Sequence, residues 1–119
     1  MSRRFVLPGP EVGRLMLDRL IAEGVRYGRD FAVVRISVPL GSADAVAPLL
    51  SACLRDADVI VRWEADELLA LLPATDRPGA DRAAQRLRDC VDMEMMVGAA
   101  HWVGDTAYDL LARAEPRPR

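Results

Sequence analysis

Apolar residues recur at Val12, Leu15, Met16, Leu20, Ile21 and Val25, the three-to-four spacing of a helix. The pattern predicts a helix over residues 11–27, with Gly28 as its C-cap. Residues 31–38 are β-branched and apolar and predict a strand, broken by Pro39 and Gly41. Ser42 or Asp44 can cap a second helix running to about residue 55, with Pro48 tolerated near its first turn. Two further apolar runs, 59–63 and 68–72, flank a short acidic turn and predict a β-hairpin. Asp76 can cap a third helix with Pro78 at its start, ending near residue 91. A strand over 94–102 and a short helix over 106–114 complete the series.

After the first helix the order is β-α-β-β-α-β, followed by one more helix. This is the split βαβ arrangement of a ferredoxin-like α+β fold, with an extra N-terminal helix and a short C-terminal one. The expectation is an antiparallel sheet with its helices on one face. The organisation reads as a leader over 1–10 ending in Pro8-Gly9-Pro10, one domain over 11–115, and a frayed tail over 116–119.

Composition narrows the function classes. Of the 119 residues, 51% are hydrophobic, enough for a packed core, and the net charge of −2 gives no electrostatic reason to propose nucleic acid as partner. No apolar run approaches the length of a membrane span, so no membrane association and a cytoplasmic location are expected. All 16 basic residues are arginine. The two cysteines, Cys53 and Cys90, lie in predicted helices without metal-ligand spacing and read as buried thiols rather than a disulfide or zinc site. His101 has no second histidine and no nucleophile to work with, so it reads as a packing residue.

The candidate chemistry lies in the acidic turn Glu64-Ala65-Asp66-Glu67. Adjacent carboxylates at a turn can hold a divalent cation against phosphates, or they can be solvated turn residues. The surrounding residues, Arg62-Trp63 before the turn and Leu71-Leu72-Pro73 after it, resemble the signature hairpin of the GGDEF family, the bacterial diguanylate cyclases. That signature reads Gly-Gly-Asp/Glu-Glu-Phe. The resemblance extends over about residues 15–114, through Tyr27-Gly28-Arg29, the approach Leu54-Arg55-Asp56-Ala57-Asp58, the strand Val97-Gly98-Ala99-Ala100 and the helix start Gly104-Asp105-Thr106-Ala107.

Departures from that pattern imply loss of synthesis. In register with Tyr27-Gly28-Arg29, the family's first-strand metal aspartate falls on Ser37 and the next acidic position on Pro39. Glu64 and Ala65 replace the two glycines, and Leu68 replaces the phenylalanine. The segment 38–52 is shorter than its counterpart and lacks the guanine-recognising stretch. The chain is therefore expected to be no enzyme, to need no cofactor and to hold no metal, Asp66 and Glu67 being weak candidates for one. Arg35 shares strand parity with Ser37, so it can place a cation near the hairpin carboxylates.

One family feature persists. Arg55-Asp56-Ala57-Asp58 stands where diguanylate cyclases carry the Arg-x-x-Asp motif of their inhibitory product site, and Arg86 matches the arginine contributed by the following helix. The resemblance implies cyclic di-GMP as ligand, with Arg55 and Arg86 gripping guanine edges or phosphates and Asp58 accepting from guanine N–H groups. The alternatives are a protein-interaction or self-association module in signalling, with those charges forming a surface cluster, and a residual cyclase.

Overall fold

The computed structural model describes residues 5–118. Its elements are α1 (Pro10–Tyr27), β1 (Phe31–Ser37), α2 (Ala43–Ser51), β2 (Val59–Glu64), β3 (Glu67–Pro73), α3 (Arg77–Cys90), β4 (Met96–His101) and α4 (Ala107–Arg113). The four strands form one sheet in the order β2-β3-β1-β4, and every neighbouring pair is antiparallel. The predicted α+β order is thus present, with the two βαβ units interleaved so that β3 and β1 are central.

Local chemistry sets most boundaries. Gly28 closes α1 in the left-handed region, at φ 67°. The Asp76 carboxylate accepts the Gly79 N–H at 2.8 Å and caps α3, with Pro78 in the first turn. The Thr106 hydroxyl accepts the Asp109 N–H and caps α4. The second helix ends at Ser51, earlier than its pattern suggests, and Pro48 sits in its second turn.

The expected one-sided packing is not what forms. Ala32, Val34, Ile36, Ile60, Leu68, Ala70 and Leu72 face α2 and α3 in one core. Phe31, Val33, Val61, Leu69, Leu71, Ala100 and Trp102 face α1 and α4 in a second. β3 is buried at every residue from Leu68 to Leu72. An unbroken apolar run, unlike an alternating one, requires cover on both faces. On the α1 side, Gly24 lets the helix backbone approach the Trp102 ring, which a Cβ would overlap. Trp102 in turn stacks on Phe31 with centroids 5.5 Å apart.

Two-sided packing leaves α2 and α3 side by side, and this overturns the cysteine reading. Cys53, just beyond α2, and Cys90, the last residue of α3, form a disulfide with Cα atoms 6.6 Å apart. Their 37-residue separation carries no spacing signal. The crossover topology alone brings them together.

The chain ends are moored as well. The leader expected over 1–10 lies partly outside the described residues; within them, the Pro8 carbonyl accepts the Arg62 N–H of edge strand β2. The tail expected to fray instead exchanges two backbone hydrogen bonds between Arg117 and Val97 on the other sheet edge. Arg119 lies outside the described residues. Among the described residues no helix is long and apolar enough to cross a membrane.

Candidate functional site

Two clusters contain the residues singled out by sequence. The first is the hairpin tip. Glu67 opens β3 opposite Ser37 of β1, and Glu64 faces Glu67 across the turn after a register shift between Arg62 and Glu64. Arg35 projects from β1 on the α4 side of the sheet. Its Nε donates to Glu67 Oε1 at 2.5 Å and its Nη2 to Oε2 at 3.2 Å. Its Nη1 donates to the Leu111 carbonyl of α4 at 2.9 Å. The pair is mostly shielded, with 21% of the arginine side chain and 12% of the glutamate exposed. This is a two-pronged guanidinium–carboxylate bond in which all three donor nitrogens are engaged.

Asp66 is also committed to the fold. Its carboxylate accepts the Gly41 N–H at 3.1 Å and its carbonyl accepts the Val38 N–H, so it ties the β1–α2 loop to the hairpin. The predicted cation at Arg35 therefore meets Glu67, whereas Asp66 is held by backbone. Arg62 pairs with Asp44 and donates to the Ala65 carbonyl, bracing the turn from below. Leu68 is fully buried in the α2–α3 core. Among the described residues no group of three or more His, Cys, Asp or Glu side chains converges as a metal-ligand set.

The second cluster surrounds Arg55. The segment after α2 turns back on itself through the Asp58 N–H to Arg55 carbonyl bond. The Asp58 carboxylate accepts the Arg55 backbone N–H at 2.9 Å, its Nε at 3.1 Å and its Nη2 at 3.0 Å. Nη2 also donates to the Pro73 carbonyl and to the Thr75 hydroxyl. Only 1% of the Asp58 side chain is exposed, against 50% for Arg55. The Asp58 hydrogen bond, opposed by a small burial cost, holds the Arg55 pKa above its ordinary value. Asp58 is thus the anchor of Arg55 rather than a carboxylate facing outward to guanine.

Between these two contacts lies Ala74, with φ 50° in the left-handed region that a side chain disfavours. Arg55 bonds to the residue on each side of it, which helps hold that strained turn in place.

Arg55 and Asp58 open into a half-open groove of about 890 Å³ that Arg86 also lines. Arg86 is exposed on α3, lines the groove and makes no hydrogen bond or ion pair among the described residues. The structure therefore brings Arg55, Asp58 and Arg86 to one place. It adds Thr75, Arg29 and Arg82, none of which the sequence singled out as a site residue. Arg82 was in principle visible, because it precedes Arg86 by one helical turn and must share its face. His101 does not line the groove itself, and its Nε2 lies 3.1 Å from Oδ1 of Asp30, which does.

Comparison with known proteins places this geometry. No curated protein sequence matches the chain. Among solved structures, the diguanylate cyclase SiaD of Pseudomonas aeruginosa, crystallised with its activator SiaC, superimposes with a TM-score of 0.71 at 24% identity over 92% of this chain. The chain spans 52% of SiaD. The FimX GGDEF domain of P. aeruginosa gives a TM-score of 0.78 at 16% identity, covering 96% of this chain and 90% of that one. The DgcB GGDEF domain of Caulobacter crescentus, in complex with c-di-GMP, gives 0.75 at 15% identity, covering 97% and 89%. At these identities the likeness establishes the fold alone. The family model "Diguanylate cyclase, GGDEF domain" matches residues 44–115, which include both carboxylate-bearing turns. With that match covering more than half of its length, the chain belongs to the GGDEF domain family.

Proposed function

We propose that this chain is a non-catalytic GGDEF domain that binds cyclic di-GMP in the Arg55–Arg86 groove and acts in bacterial cytoplasmic signalling. The observation that carries the reading is the state of the two arginines. Arg55 is fixed by Asp58, Pro73 and Thr75 with its guanidinium half-exposed, and Arg86 faces the same groove without a partner among the described residues. One immobilised and one adaptable guanidinium suit a rigid cyclic dinucleotide, which offers two phosphates and two guanine edges. DgcB was crystallised with the same ligand, which makes it the first to test.

Absence of catalysis is supported by what occupies the hairpin tip. A cyclase needs divalent cations to neutralise triphosphate charge. Here Ser37 stands opposite Glu67, the two Glu67 oxygens are held by Arg35, and Asp66 is held by the Gly41 N–H. A guanidinium already neutralising the carboxylate opposes a metal at the same oxygens. Glu64 adds negative charge where a nucleotide's phosphates would approach. The residues present do not fit the family's two-cation arrangement.

Titration calorimetry with cyclic di-GMP tests the receptor reading. Saturable heat that is lost in Arg86→Ala and Arg55→Ala supports it; no heat and no thermal shift at high ligand would sink it. Incubation with GTP and Mg²⁺ tests the other half. Product formation that disappears in Glu67→Gln would overturn the non-catalytic assignment.

A protein-docking role has its own support. Leu15 and Val25 on α1 are 71% and 75% exposed. SiaD, crystallised with a protein activator, illustrates that relatives of this fold take protein partners. Size-exclusion chromatography of the wild type and Leu15→Glu measures whether that face drives self-association.

A further inference from the structure

The disulfide and the groove share the same two pieces of chain. Cys53 lies two residues before Arg55 in the segment that follows α2. Cys90 lies one helical turn beyond Arg86 on α3. The covalent bond therefore ties the loop presenting one groove arginine to the helix presenting the other. Beyond that bond, the loop is tied to the rest of the fold by the Arg55 side chain at the Pro73 carbonyl and Thr75 hydroxyl and by Leu54 packed against the core. From Ala52 to Asp58 its backbone bonds are local, running to Pro48, Leu50, Ser51 and Arg55. It pairs with no strand, and Arg55, Asp56 and Ala57 are exposed. α2 itself is short and carries Pro48 inside it. Both cysteines are half-buried rather than sealed, so a small reductant can reach the bond.

We infer that the Cys53–Cys90 pair is a redox control on the groove: oxidised, it fixes Arg55 relative to Arg86, and reduced, it lets them separate and weakens ligand binding. The inference rests on the Arg55–Arg86 groove being the ligand site. The chemistry is thiol–disulfide exchange with a dithiol. One thiolate of the reductant attacks a sulfur of the bridge, the S–S electron pair leaves on the other cysteine, and that sulfur takes a proton. The second reductant thiolate then attacks the first reductant sulfur in the mixed disulfide, closing the reductant's own disulfide and expelling the remaining cysteine thiolate, which takes a proton. Two cysteine thiols and one oxidised dithiol result. A small-molecule disulfide reverses the sequence. Cys53 and Cys90 act here as positioning residues, through the arginines beside them.

Linkage provides a readout that a purely structural bridge would not move. If oxidation strengthens cyclic di-GMP binding by some factor, saturating ligand must shift the disulfide equilibrium toward the oxidised form by the same factor. The test equilibrates the full chain in buffers of reduced and oxidised dithiothreitol, with and without cyclic di-GMP. Thiols are quantified by alkylation, and affinity is measured on each form well below its unfolding temperature. The expected result is roughly tenfold weaker binding on reduction, of the order typical for coupled sites, matched by an equal ligand-induced shift in the redox midpoint. The Cys53→Ser/Cys90→Ser variant should bind like the reduced form and ignore the buffer.

Equal affinity in both forms overturns the inference and leaves the receptor reading intact. Two alkylatable thiols without reductant also overturn it. If the oxidised protein binds no cyclic di-GMP, the receptor reading fails; amide exchange then decides the positioning claim. Faster exchange in residues 52–58 on reduction supports it, and unchanged exchange refutes it.

Discussion

The Arg35–Glu67 pair makes a demanding prediction, because the proposed loss of metal chemistry depends on it being a settled structural bond. Replacing Arg35 by Ala leaves a carboxylate that is 88% shielded without its cation and removes the donor to the Leu111 carbonyl. Breaking one side of a buried pair costs about 3–5 kcal/mol, and residual solvent access here places the loss near the lower end, about 3 kcal/mol. With the usual unfolding entropy per residue, that corresponds to roughly 12 °C in Tm for a chain of this size. Glu67→Ala strands the guanidinium and should cost a similar amount. Arg35→Met with Glu67→Leu removes both charges and fills the space, so it should come within about 1 kcal/mol of wild type. The singles then fail to add by several kcal/mol.

The assay is urea unfolding at neutral pH, followed by Trp63 and Trp102 fluorescence and checked by circular dichroism for a constant m-value. Millimolar Mg²⁺ should leave the wild-type midpoint unchanged, since Glu67 is already neutralised. Single losses below about 1 kcal/mol that add in the double variant would mean an exposed pair of little worth. Stabilisation of the wild type by Mg²⁺ that disappears in Glu67→Gln would be more damaging, because it would show a cation competing successfully with Arg35.

Three other outcomes follow from particular contacts. Gly98→Ala places a Cβ against the carbonyl oxygens of Ala114 and Glu115, which are backbone and cannot swing aside, so denaturation should show a loss of about 1–3 kcal/mol. Removing the disulfide frees a 37-residue span in the unfolded chain, so Cys53→Ser/Cys90→Ser should lower stability by up to about 4 kcal/mol in a thermal or urea melt. Ser37→Asp, which places a carboxylate opposite Glu67, should yield no cyclic di-GMP from GTP and Mg²⁺ by chromatography, because Arg35 still holds Glu67 and Glu64 still stands at the turn.

How far the fold was legible depended on whether its cause was local. The caps at Gly28 and Asp76 could be read because each follows from one residue's own chemistry. The hairpin could be read because two apolar runs flank a polar turn. The number of covered sheet faces was also written in the chain, in the unbroken run Leu68–Leu72, but it was masked by the expectation attached to a ferredoxin-like order. The disulfide was not legible, since only the sheet crossover sets Cys53 beside Cys90. The moored tail was equally hidden. Its cause is the bare backbone of Gly98, which lets residues 114–115 cross close to β4 and carry Arg117 to Val97.

The candidate site divides in the same way, and the division bears on function. The family resemblance located Arg55, Asp58 and Arg86, and those three do share a groove. It could not say which way each side chain spends its hydrogen bonds. Asp58 looked like a ligand acceptor, yet three bonds to Arg55 consume it. Glu67 looked like a metal ligand, yet Arg35 takes both its oxygens. In both clusters an arginine holds a carboxylate within the fold. The consequences are opposite. At the hairpin the pairing opposes cation binding, because a divalent ion requires the oxygens that Arg35 occupies. At the groove it favours anion binding, because a guanidinium held in place by Asp58 loses less freedom when a phosphate or guanine edge meets it. The same kind of bond therefore argues against synthesis at one site and for recognition at the other.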